Sequence, residues 1–303
     1  MTLRNLQIFI RVAECGKMNL AAKQLYISQS SVSQAVSEIE KEFDVVLFDR
    51  IGKQLYITPL GRELLEHARK AVSYQESVQE WLGQQGKSRK LRVGVTMTVG
   101  STLLCELVTR MKKACPQSEI SAFVGNTRLI EEKLLNGELD IGLVEGVITN
   151  PVIRSTIEMQ DELVLICGRD HRFYGRTGVS VRELENEVLL LRERGSGTRA
   201  QLVEKLEENR IHYREALESV STEAIIQSVA AGYGVSALSA RLVGAELASG
   251  EIWACPIEEL SLVRHFSIVT YKNRIETEMM KLFIRTVEKV AAEERREGPE
   301  SRS

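Results

Sequence analysis

The sequence is poor in cysteine and lacks any long hydrophobic run. Only five of its 303 residues are cysteine, the count is odd and no C-x-x-C pair occurs, so a disulfide framework is excluded. No apolar stretch approaches the ~18 residues that a membrane-spanning helix needs, so we expect no membrane partner. Hydrophobic residues at 43% and charged residues at 27% are ordinary globular values, which exclude a wholly disordered chain.

The sequence also shows no targeting segment and no metal-ligand spacing. Its first residues interleave Arg4, Gln7, Arg11 and Glu14 with apolar positions, which is typical of a helix and not of a secretory signal. We therefore expect a cytoplasmic protein whose thiols are reduced. The histidines have neither metal-site spacing nor a neighbouring cysteine, so we expect no metal and no cofactor at His67, His171, His212 and His265.

Length and charge distribution predict more than one domain. At ~100–200 residues per domain, a chain of 303 residues predicts two or three domains. Residues 1–90 carry 13 Lys and Arg against 10 Asp and Glu, whereas residues 91–303 carry 27 against 32. A mildly basic N-terminal part on an acidic body is compatible with a polyanionic partner at one end of the chain.

Residues 1–58 predict a small, mainly helical domain. Apolar residues at helical spacing indicate three helices, and two short extended runs around Gly52 indicate a hairpin. Thr58 and Pro59 are a strong helix start, and a narrow apolar seam then continues to Gly83. Such a seam predicts a long helix that pairs with a second copy, and the polar stretch 83–90 predicts the hinge that completes a linker over residues 59–90.

Strands and helices alternate from residue 91 onwards. The predicted strands are 91–96, 119–124, 140–144, 163–167, 188–191, 217–220, 235–238 and 266–271, and the predicted helices are 101–114, 128–136, 199–209, 223–231 and 275–292. This alternation predicts a parallel sheet covered by helices. We expect the α/β domain to span residues 91–293 and residues 294–303 to form a flexible tail.

The segment from Asn19 to Asp44 carries the clearest functional pattern. A helix capped by Ser28 presents short, polar and uncharged side chains on its first turns, namely Gln29, Ser30, Ser31, Ser33 and Gln34. Amide and hydroxyl groups there fit the major groove of double-stranded DNA, where each base pair shows a distinct donor and acceptor pattern. Arg50 and Lys53, on the hairpin, are placed to meet phosphates. A capped surface helix rich in Ser and Gln would show the same local pattern.

The same segment resembles the LysR-type transcriptional regulators. Residues that match that family's N-terminal pattern in order are Ala21, Ala22, Leu25, Ile27, Ser28, Gln29, Val32, Ser33, Ile39, Glu40, Leu47, Phe48, Arg50, Ile57, Thr58 and Gly61. Ser30 departs from the pattern, because many members have proline there, and the order around Ile39 and Glu40 also differs. We expect Ser30 to alter sequence preference without loss of DNA binding, and we interpret the departure around Ile39 as a substitution in the core.

The resemblance implies a winged helix-turn-helix over residues 1–58, a long linker helix and a two-lobed α/β effector-binding domain similar to a periplasmic binding protein. Lobe I would hold residues 91–160 and 266–293, and lobe II residues 161–265. The resemblance assigns base or adjacent phosphate contacts to Gln29, Ser31, Ser33 and Gln34, and a phosphate contact to Arg50. Pairing through residues 59–86 would set two recognition helices ~34 Å apart on a pseudo-palindromic promoter site.

The oligomeric state and further partners also follow from the resemblance. The chain is expected to form a homo-oligomer, with dimer and tetramer both open although the family usually forms tetramers. A small-molecule effector and RNA polymerase are the other expected partners.

Four strand–helix junctions in the α/β part predict the effector site. Hydroxyls, amides and free backbone N–H groups at helix starts favour an anion there, at Thr96, Thr98, Gly100, Ser101, Asn126, Thr127, Ser196, Gly197, Thr198, Arg199 and Thr222. For any one junction taken alone, simple helix capping is the better explanation. The G-S-G-T-R run resembles the same stretch in family members that sense anionic metabolites, including cysteine-biosynthesis and carbon-fixation regulators.

Glu145 complicates a simple anion pocket. It ends the strand 140–144, where the family has a pocket residue, and its carboxylate would repel an anion. Either Glu145 pairs with Arg199, or the ligand carries a hydrogen-bond donor as well as an acid. The effector is therefore expected to be a small anionic or zwitterionic molecule bound between the lobes.

These observations predict a ligand-responsive transcription regulator and not an enzyme. No catalytic pair, phosphate loop or nucleophile elbow stands out in the sequence. The competing hypothesis is a cytoplasmic small-molecule-binding protein or enzyme with an accessory helical N-terminal domain.

Overall fold

The computed structural model describes residues 1–51, 54–83, 89–146, 148 and 150–297. These fall into two compact units. The first is built from the described part of Met1–Ser88 with Lys133–Glu138, and the second from the described part of Arg89–Glu132 with Leu139–Ser303. Among the described residues no helix is long and apolar enough to cross a membrane.

The first unit consists of helices packed with a two-stranded hairpin. Its elements are α1 (Leu3–Cys15), α2 (Met18–Leu25), α3 (Gln29–Phe43), β1 (Phe48–Ile51), β2 (Gln54–Ile57) and α4 (Pro59–Gly83). Strands β1 and β2 pair antiparallel, so the predicted hairpin is confirmed, while its Gly52 and Lys53 lie outside the described residues. Phe9, Val12 and Val32 are completely buried between the first three helices.

Local capping explains where the helices of this unit begin. The Ser28 hydroxyl accepts a hydrogen bond from the Ser31 backbone N–H at 3.1 Å, as expected for the N-cap of α3. The Thr58 hydroxyl accepts from the Gly61 N–H at 2.9 Å at the start of α4 and donates to the Val46 carbonyl at 2.8 Å. An added Cβ at Gly61 would lie 2.4 Å from the Leu47 carbonyl oxygen, so this position of the family pattern admits only glycine.

The second unit is an α/β structure. Its elements are β3 (Lys90–Thr96), α5 (Met97–Thr102), α6 (Leu104–Ala114), β4 (Glu119–Gly125), α7 (Thr127–Leu135), β5 (Ile141–Glu145), β6 (Ile153–Gly168), β7 (Val188–Arg192), α8 (Gly197–Glu208), β8 (Arg214–Ser219), α9 (Thr222–Ala230), β9 (Ser236–Ser239), α10 (Gly244–Ser249), β10 (Ile252–Cys255), β11 (Val263–Tyr271) and α11 (Glu278–Glu297). Short 3₁₀ turns occupy Val181–Leu184 and Ala240–Leu242.

The predicted parallel sheet is only partly parallel. The main sheet has the order β10-β6-β11-β5-β3-β4, with β9 also paired to β6. Strand β3 runs parallel to β4 and β5, but β11 runs antiparallel to β5 and β6, and β6 antiparallel to β9 and β10. A buried strand has the same hydrophobic pattern in either direction, so the alternation along the sequence did not fix the direction of β6 and β11.

Three predicted segments also need correction. The single helix 101–114 is divided into α5 and α6 at Leu103, whose backbone leaves the helical conformation. The strand predicted at 163–167 begins ten residues earlier at Ile153, because its first part is half exposed and lacks a continuous apolar pattern. Helix α11 runs to Glu297, into the stretch predicted as a tail, whose residues 298–303 lie outside the described part.

Two separate hydrophobic cores divide this unit into two lobes. One core lies within residues 91–159 and 266–291 and includes Val95, Leu143 and Phe283. The other lies within residues 163–262, around Leu189 and Leu202. Strands β6 and β11 pass from one lobe to the other, so side chains near residues 161 and 264 stand where the two cores meet.

Candidate DNA and effector sites

The first turns of α3 form the candidate DNA surface. Gln29, Ser30, Ser31 and Gln34 are exposed and Ser33 is half-buried. Ser30 and Ser31 hydroxyls each lie 2.8 Å from the Ser28 hydroxyl. The Gln34 amide donates to Glu38 at 3.0 Å. Gln29 and Ser33 therefore offer the polar groups of this surface that the capping network does not engage.

The hairpin carries the two residues that were predicted to contact phosphates. Arg50 lies on β1, but its side chain, like all of Lys53, is outside the described residues. The phosphate contacts assigned to these two residues from the sequence stay predictions.

Glu145 is the centre of the candidate effector site. It ends β5 with only 2% of its surface exposed, and its carboxylate accepts hydrogen bonds from the hydroxyls of Thr96 and Thr98. The Thr127 hydroxyl donates to the Glu145 carbonyl oxygen at 2.7 Å. Two of the four predicted junctions thus meet at this residue, because the carboxyl ends of the parallel strands β3, β4 and β5 lie at one edge of the sheet.

Arg264, which sequence reasoning missed, joins the two lobes at this site. Its Nη2 donates to the Thr98 hydroxyl at 3.1 Å and its Nη1 to the Thr198 hydroxyl at 2.7 Å. Its Nη1 also lies 3.8 Å from Glu145 Oε1. The guanidinium is almost completely buried, so its charge must be met within the protein.

Asp161 supplies most of that compensation. It stands opposite Arg264 on the neighbouring strand and accepts from Arg264 Nε at 2.6 Å. Its other oxygen accepts from the Ser239 hydroxyl at 2.7 Å and lies 3.3 Å from Arg241 Nε. Arg241 in turn forms two hydrogen bonds of 2.8 Å with Glu294 of α11. A chain of ion pairs, buried at Arg264 and Asp161 and half-buried at Arg241 and Glu294, therefore leads from the site to the last helix.

Of the two alternatives that the sequence left open for Glu145, pairing with Arg199 is not found. Arg199 Nη1 and Nη2 bond to the Glu215 carboxylate at 2.7 and 2.8 Å, and Nη1 lies 3.5 Å from Glu218. The hydrogen bond with Glu215 raises the pKa of Arg199, and the same bond lowers the pKa of Glu215. Arg199 points to β8 because it lies in the first turn of α8, beside the parallel strand pair β7 and β8.

Three more predicted site residues fall outside the cluster. The helix α9 is capped by Ser221, which accepts from the Ala224 N–H at 3.1 Å, and not by Thr222, which is its first residue. Ser101 is exposed within α5. Gly100 packs against Val124, where an added Cβ would meet a side-chain methyl at 2.9 Å.

A second polar group links the lobes at Asn126. Its side-chain nitrogen Nδ2 donates to Glu193 Oε1 at 3.2 Å, while its side-chain oxygen Oδ1 accepts from the Leu129 backbone N–H at the start of α7. Glu193 also accepts from Arg192, which ends β7. Ser196, predicted as a site residue, is buried in the turn that follows.

Gly197 brings the start of α8 against Glu145. An added Cβ would lie 2.7 Å from the Glu145 carbonyl oxygen and 3.2 Å from the Gly146 Cα. We expect Gly197→Ala to lower the free energy of unfolding by about 1–3 kcal/mol, because overpacking must push this backbone contact apart. Urea denaturation would measure the loss.

The matched control is Gly244→Ala, at the start of α10, where an added Cβ meets nothing within 4 Å. This variant should unfold at the same urea concentration as the parent chain or a slightly higher one. Equal stability of the two variants would show that α8 does not approach β5 as closely as described.

The two buried cysteines, Cys167 and Cys255, belong to the hydrophobic core of the second lobe. Burial raises the pKa of the Cys167 thiol to about 12 and also raises the pKa of Cys255. Both thiols therefore stay protonated and unreactive near neutral pH. Among the described residues no group of three or more His, Cys, Asp or Glu side chains could hold a metal ion.

The site residues that sequence reasoning missed are Asp161, Arg192, Glu193 and Arg264. A weak signal existed for Arg264. It is a charged residue in an apolar strand, on the same face as the buried Phe266 two positions later. Nothing in the local sequence indicated that Asp161 would be its partner, because the two are joined only by strand pairing.

Comparison with known proteins agrees with this architecture. The model of the LysR substrate binding domain matches residues 84–292, and that of the bacterial regulatory helix-turn-helix protein, lysR family, matches residues 3–62. The HTH-type transcriptional activator CmpR of Synechocystis sp. is 31% identical over 275 residues, covering 90% of each chain.

Solved structures show the same fold. A full-length OxyR variant from Pseudomonas aeruginosa has a TM-score of 0.76 at 24% identity, covering 95% of this chain and 94% of its own. The regulatory domain of Synechocystis CcmR in complex with 2-PG has a TM-score of 0.63 at 26% identity, covering 67% of this chain and 97% of its own.

A helix-turn-helix head and a two-lobed α/β unit with polar groups at the lobe junction define the class of ligand-responsive, DNA-binding transcription regulators. Within that class the chain belongs to the LysR family. The expectation of a regulator and not an enzyme is confirmed, and so is the predicted winged helix-turn-helix followed by a two-lobed domain.

Proposed function

We propose that this LysR-family regulator is switched by a small metabolite that carries both a hydrogen-bond donor and an acidic group, bound between the lobes of residues 91–293. The observation that carries the proposal is the buried pair of Glu145 and Arg264, linked through Thr98 and Thr198 across the lobe junction. A carboxylate and a guanidinium side by side suit a zwitterion or a hydroxy acid better than a simple anion.

The switch would act through the relative positions of the lobes. A ligand that binds one arrangement more tightly shifts the population toward it by its difference in affinity for the two arrangements. Thr98 and Thr198 stand in different lobes and share Arg264, so a ligand that replaces either hydroxyl bond changes how the lobes are held together. The change would alter the spacing or angle of the DNA-binding heads in the oligomer.

DNA recognition would use the exposed turns of α3. Gln29, Ser33 and their neighbours would read base edges of a pseudo-palindromic promoter site, with α4 pairing two chains. The family pattern around Ser28 supports this assignment, and the domain limits 1–58, 59–90 and 91–293 follow from it. A cytoplasmic location is part of the same proposal.

The first experiment is selection of genomic fragments by the purified full-length protein at moderate and raised salt. One or a few promoter fragments with a dyad, lost as salt rises, would support the proposal because phosphate contacts make affinity salt-dependent. Absence of any enriched fragment at either salt, with and without candidate ligands, would contradict it. Because CcmR binds 2-PG, this compound is the first candidate, followed by amino acids and hydroxy acids.

We expect Thr98→Ala and Thr198→Ala each to weaken the ligand response about tenfold while basal DNA binding persists. Each change removes one hydrogen bond to a charged group at the lobe junction, which contributes about 1.5–3 kcal/mol. Anisotropy titration of the selected fragment against increasing ligand measures the response.

Thr109→Ala is the matched control for these variants. Thr109 is exposed on α6 and its hydroxyl bonds only within its own helix, to the Cys105 carbonyl at 2.7 Å. Its response should equal that of the parent chain. If all three variants respond alike, the effector site is elsewhere.

A further inference from the structure

Glu38, in the third turn of α3, connects the candidate DNA surface with the first helix of the chain. Its Oε1 accepts a hydrogen bond from Gln34 Nε2 at 3.0 Å, and its Oε2 accepts from Asn5 Nδ2 of α1 at 3.0 Å. Both carboxylate oxygens are therefore used, one toward the recognition turns and one toward α1. Neither Glu38 nor Asn5 lies at a position of the family pattern, so only the tertiary contacts connect them with DNA recognition.

The far end of this network is fixed at the start of α1. The Thr2 hydroxyl donates to Asn5 Oδ1 at 2.6 Å, and it also accepts from the Asn5 backbone N–H at 3.2 Å as the N-cap of α1. The Asn5 side chain therefore points its oxygen at Thr2 and its nitrogen at Glu38. This brace restricts the rotation of Glu38, although its side chain is exposed.

The direction of the hydrogen bonds decides which end of the Gln34 amide is left over. A carboxylate can only accept hydrogen bonds, so Gln34 must turn its NH2 group toward Glu38. Its oxygen, Oε1, then lies on the opposite side of the amide, on a side chain that is exposed. A glutamine without such a partner can turn either end of its amide toward a base. The network removes that freedom and leaves Gln34 with its acceptor facing outward.

The base edges of the major groove differ in what they offer to an acceptor. Adenine carries a donor at N6 and cytosine carries one at N4, whereas guanine shows only the acceptors N7 and O6. A Gln34 oxygen that faces guanine would meet another acceptor, with the Glu38 carboxylate one helical turn away. Both acceptors would lose their hydrogen bonds to water without gaining a new one, so guanine is disfavoured.

We propose that Glu38, braced by Asn5, is a positioning residue that sets the base preference of this regulator. This inference rests on the proposed function, in which α3 reads base edges, and deepens it by naming the bases. Gln34 Oε1 accepts from adenine N6 or cytosine N4 at one position of each half-site, and guanine is excluded from that position.

The negative charge of Glu38 has a second consequence. A carboxylate on a helix that faces DNA repels the phosphates, and it therefore lowers the affinity for DNA of any sequence. Removal of the charge should strengthen binding to unrelated DNA while the base preference weakens. A residue that only stabilised the helix would produce neither change, so the two effects together distinguish a positioning role from a structural one.

Binding measurements with the full-length protein test the proposal on the promoter fragment that the parent chain selects. Each base pair of one half-site is changed in turn, and fluorescence anisotropy gives the affinity for each change. Gln34→Ala first identifies the contacted position, as the one where the base preference disappears. There the parent chain should bind guanine at least about tenfold more weakly than the better of adenine and cytosine.

Glu38→Gln is the decisive variant. Glutamine can donate as well as accept, so Gln34 is free to present either end of its amide to the base. We expect the guanine penalty to fall below about threefold at the contacted position alone, and binding to a scrambled fragment to become stronger. Asn5→Ala keeps Glu38 but removes its brace, and it should reduce the guanine penalty by a smaller factor.

Glu223→Gln is the matched control, because Glu223 accepts from Gln227 at 3.1 Å across one turn of α9 in the second unit. Its base preferences should equal those of the parent chain. A guanine penalty that persists unchanged in Glu38→Gln would overturn the proposal. A parent chain that prefers guanine at the contacted position would also overturn it, and so would a Gln34→Ala variant that alters no base preference.

The same experiments separate failure of this inference from failure of the proposed function. If the parent chain selects no promoter fragment, the proposed function fails and this inference fails with it. A selected fragment whose guanine penalty is the same in the parent chain and in Glu38→Gln contradicts this inference alone.

Discussion

The variant Asp161→Asn is expected to lose about 3–5 kcal/mol of unfolding free energy, the largest stability effect of any single change considered for the second unit. Asp161 has 1% of its side chain exposed and holds Arg264 at 2.6 Å and Arg241 at 3.3 Å. Asparagine keeps the shape but removes the charge, so Arg264 is left buried with Glu145 at 3.8 Å as its nearest carboxylate. Thermal unfolding should shift by roughly 6–20 °C for a unit of this size.

Asp170→Asn is the control, because Asp170 is exposed and the same chemical change there should alter the unfolding free energy by less than about 0.5 kcal/mol. A double variant tests the stated cause. Asp161→Asn combined with Arg264→Gln should cost less than the two single changes added together, by about 0.5–3 kcal/mol, because the pair is removed as a unit. Simple additivity would show that Asp161 and Arg264 do not stabilise one another.

The second large effect concerns DNA recognition. Replacing both Gln29 and Ser33 by Ala should weaken binding to the selected promoter fragment by at least about 100-fold. A good base contact contributes about 1–3 kcal/mol, and an oligomer presents each changed position at least twice. Weak, salt-dependent binding to unrelated DNA should remain, because it depends on phosphate contacts and not on base edges.

Fluorescence anisotropy on the promoter fragment and on a scrambled fragment measures both effects. Gln227→Ala with Ser249→Ala, two exposed positions of the second unit, makes the same chemical change away from α3 and should leave binding unchanged. Thermal unfolding of both double variants should match that of the parent chain. Full-strength promoter binding by the Gln29 and Ser33 variant would contradict the assignment of α3 as the recognition helix.

The DNA-binding head could be predicted almost completely from the sequence. Its signals are local: Ser28 caps α3, Thr58 caps α4, and a family pattern runs without interruption through one stretch of chain. Helix capping and helical spacing involve residues three or four apart, so they can be predicted from the local sequence. The hairpin follows for the same reason, since its strands are neighbours in the chain.

The effector site was predicted only in part. Thr96, Thr98, Thr127 and Thr198 do meet around Glu145, since they follow strands or begin helices at one edge of the sheet. The sequence could not decide whether Glu145 pairs with Arg199, because the direction in which a helix projects a side chain depends on how that helix packs. Arg199 faces β8 instead, where Glu215 meets it.

The sequence by itself determined the class of protein, the helical head and the residue types at the strand–helix junctions. Only the tertiary structure decided which charges meet. Arg264 bonds to Asp161, 103 positions away in the chain, and to Thr98, 166 positions away. The contact with Asp161 depends on the antiparallel pairing of β11 with β6, which the hydrophobic periodicity does not predict. Buried charges are placed by strand order and lobe packing, and each needs a partner at hydrogen-bond distance, so their pairing appears only when the whole chain has folded.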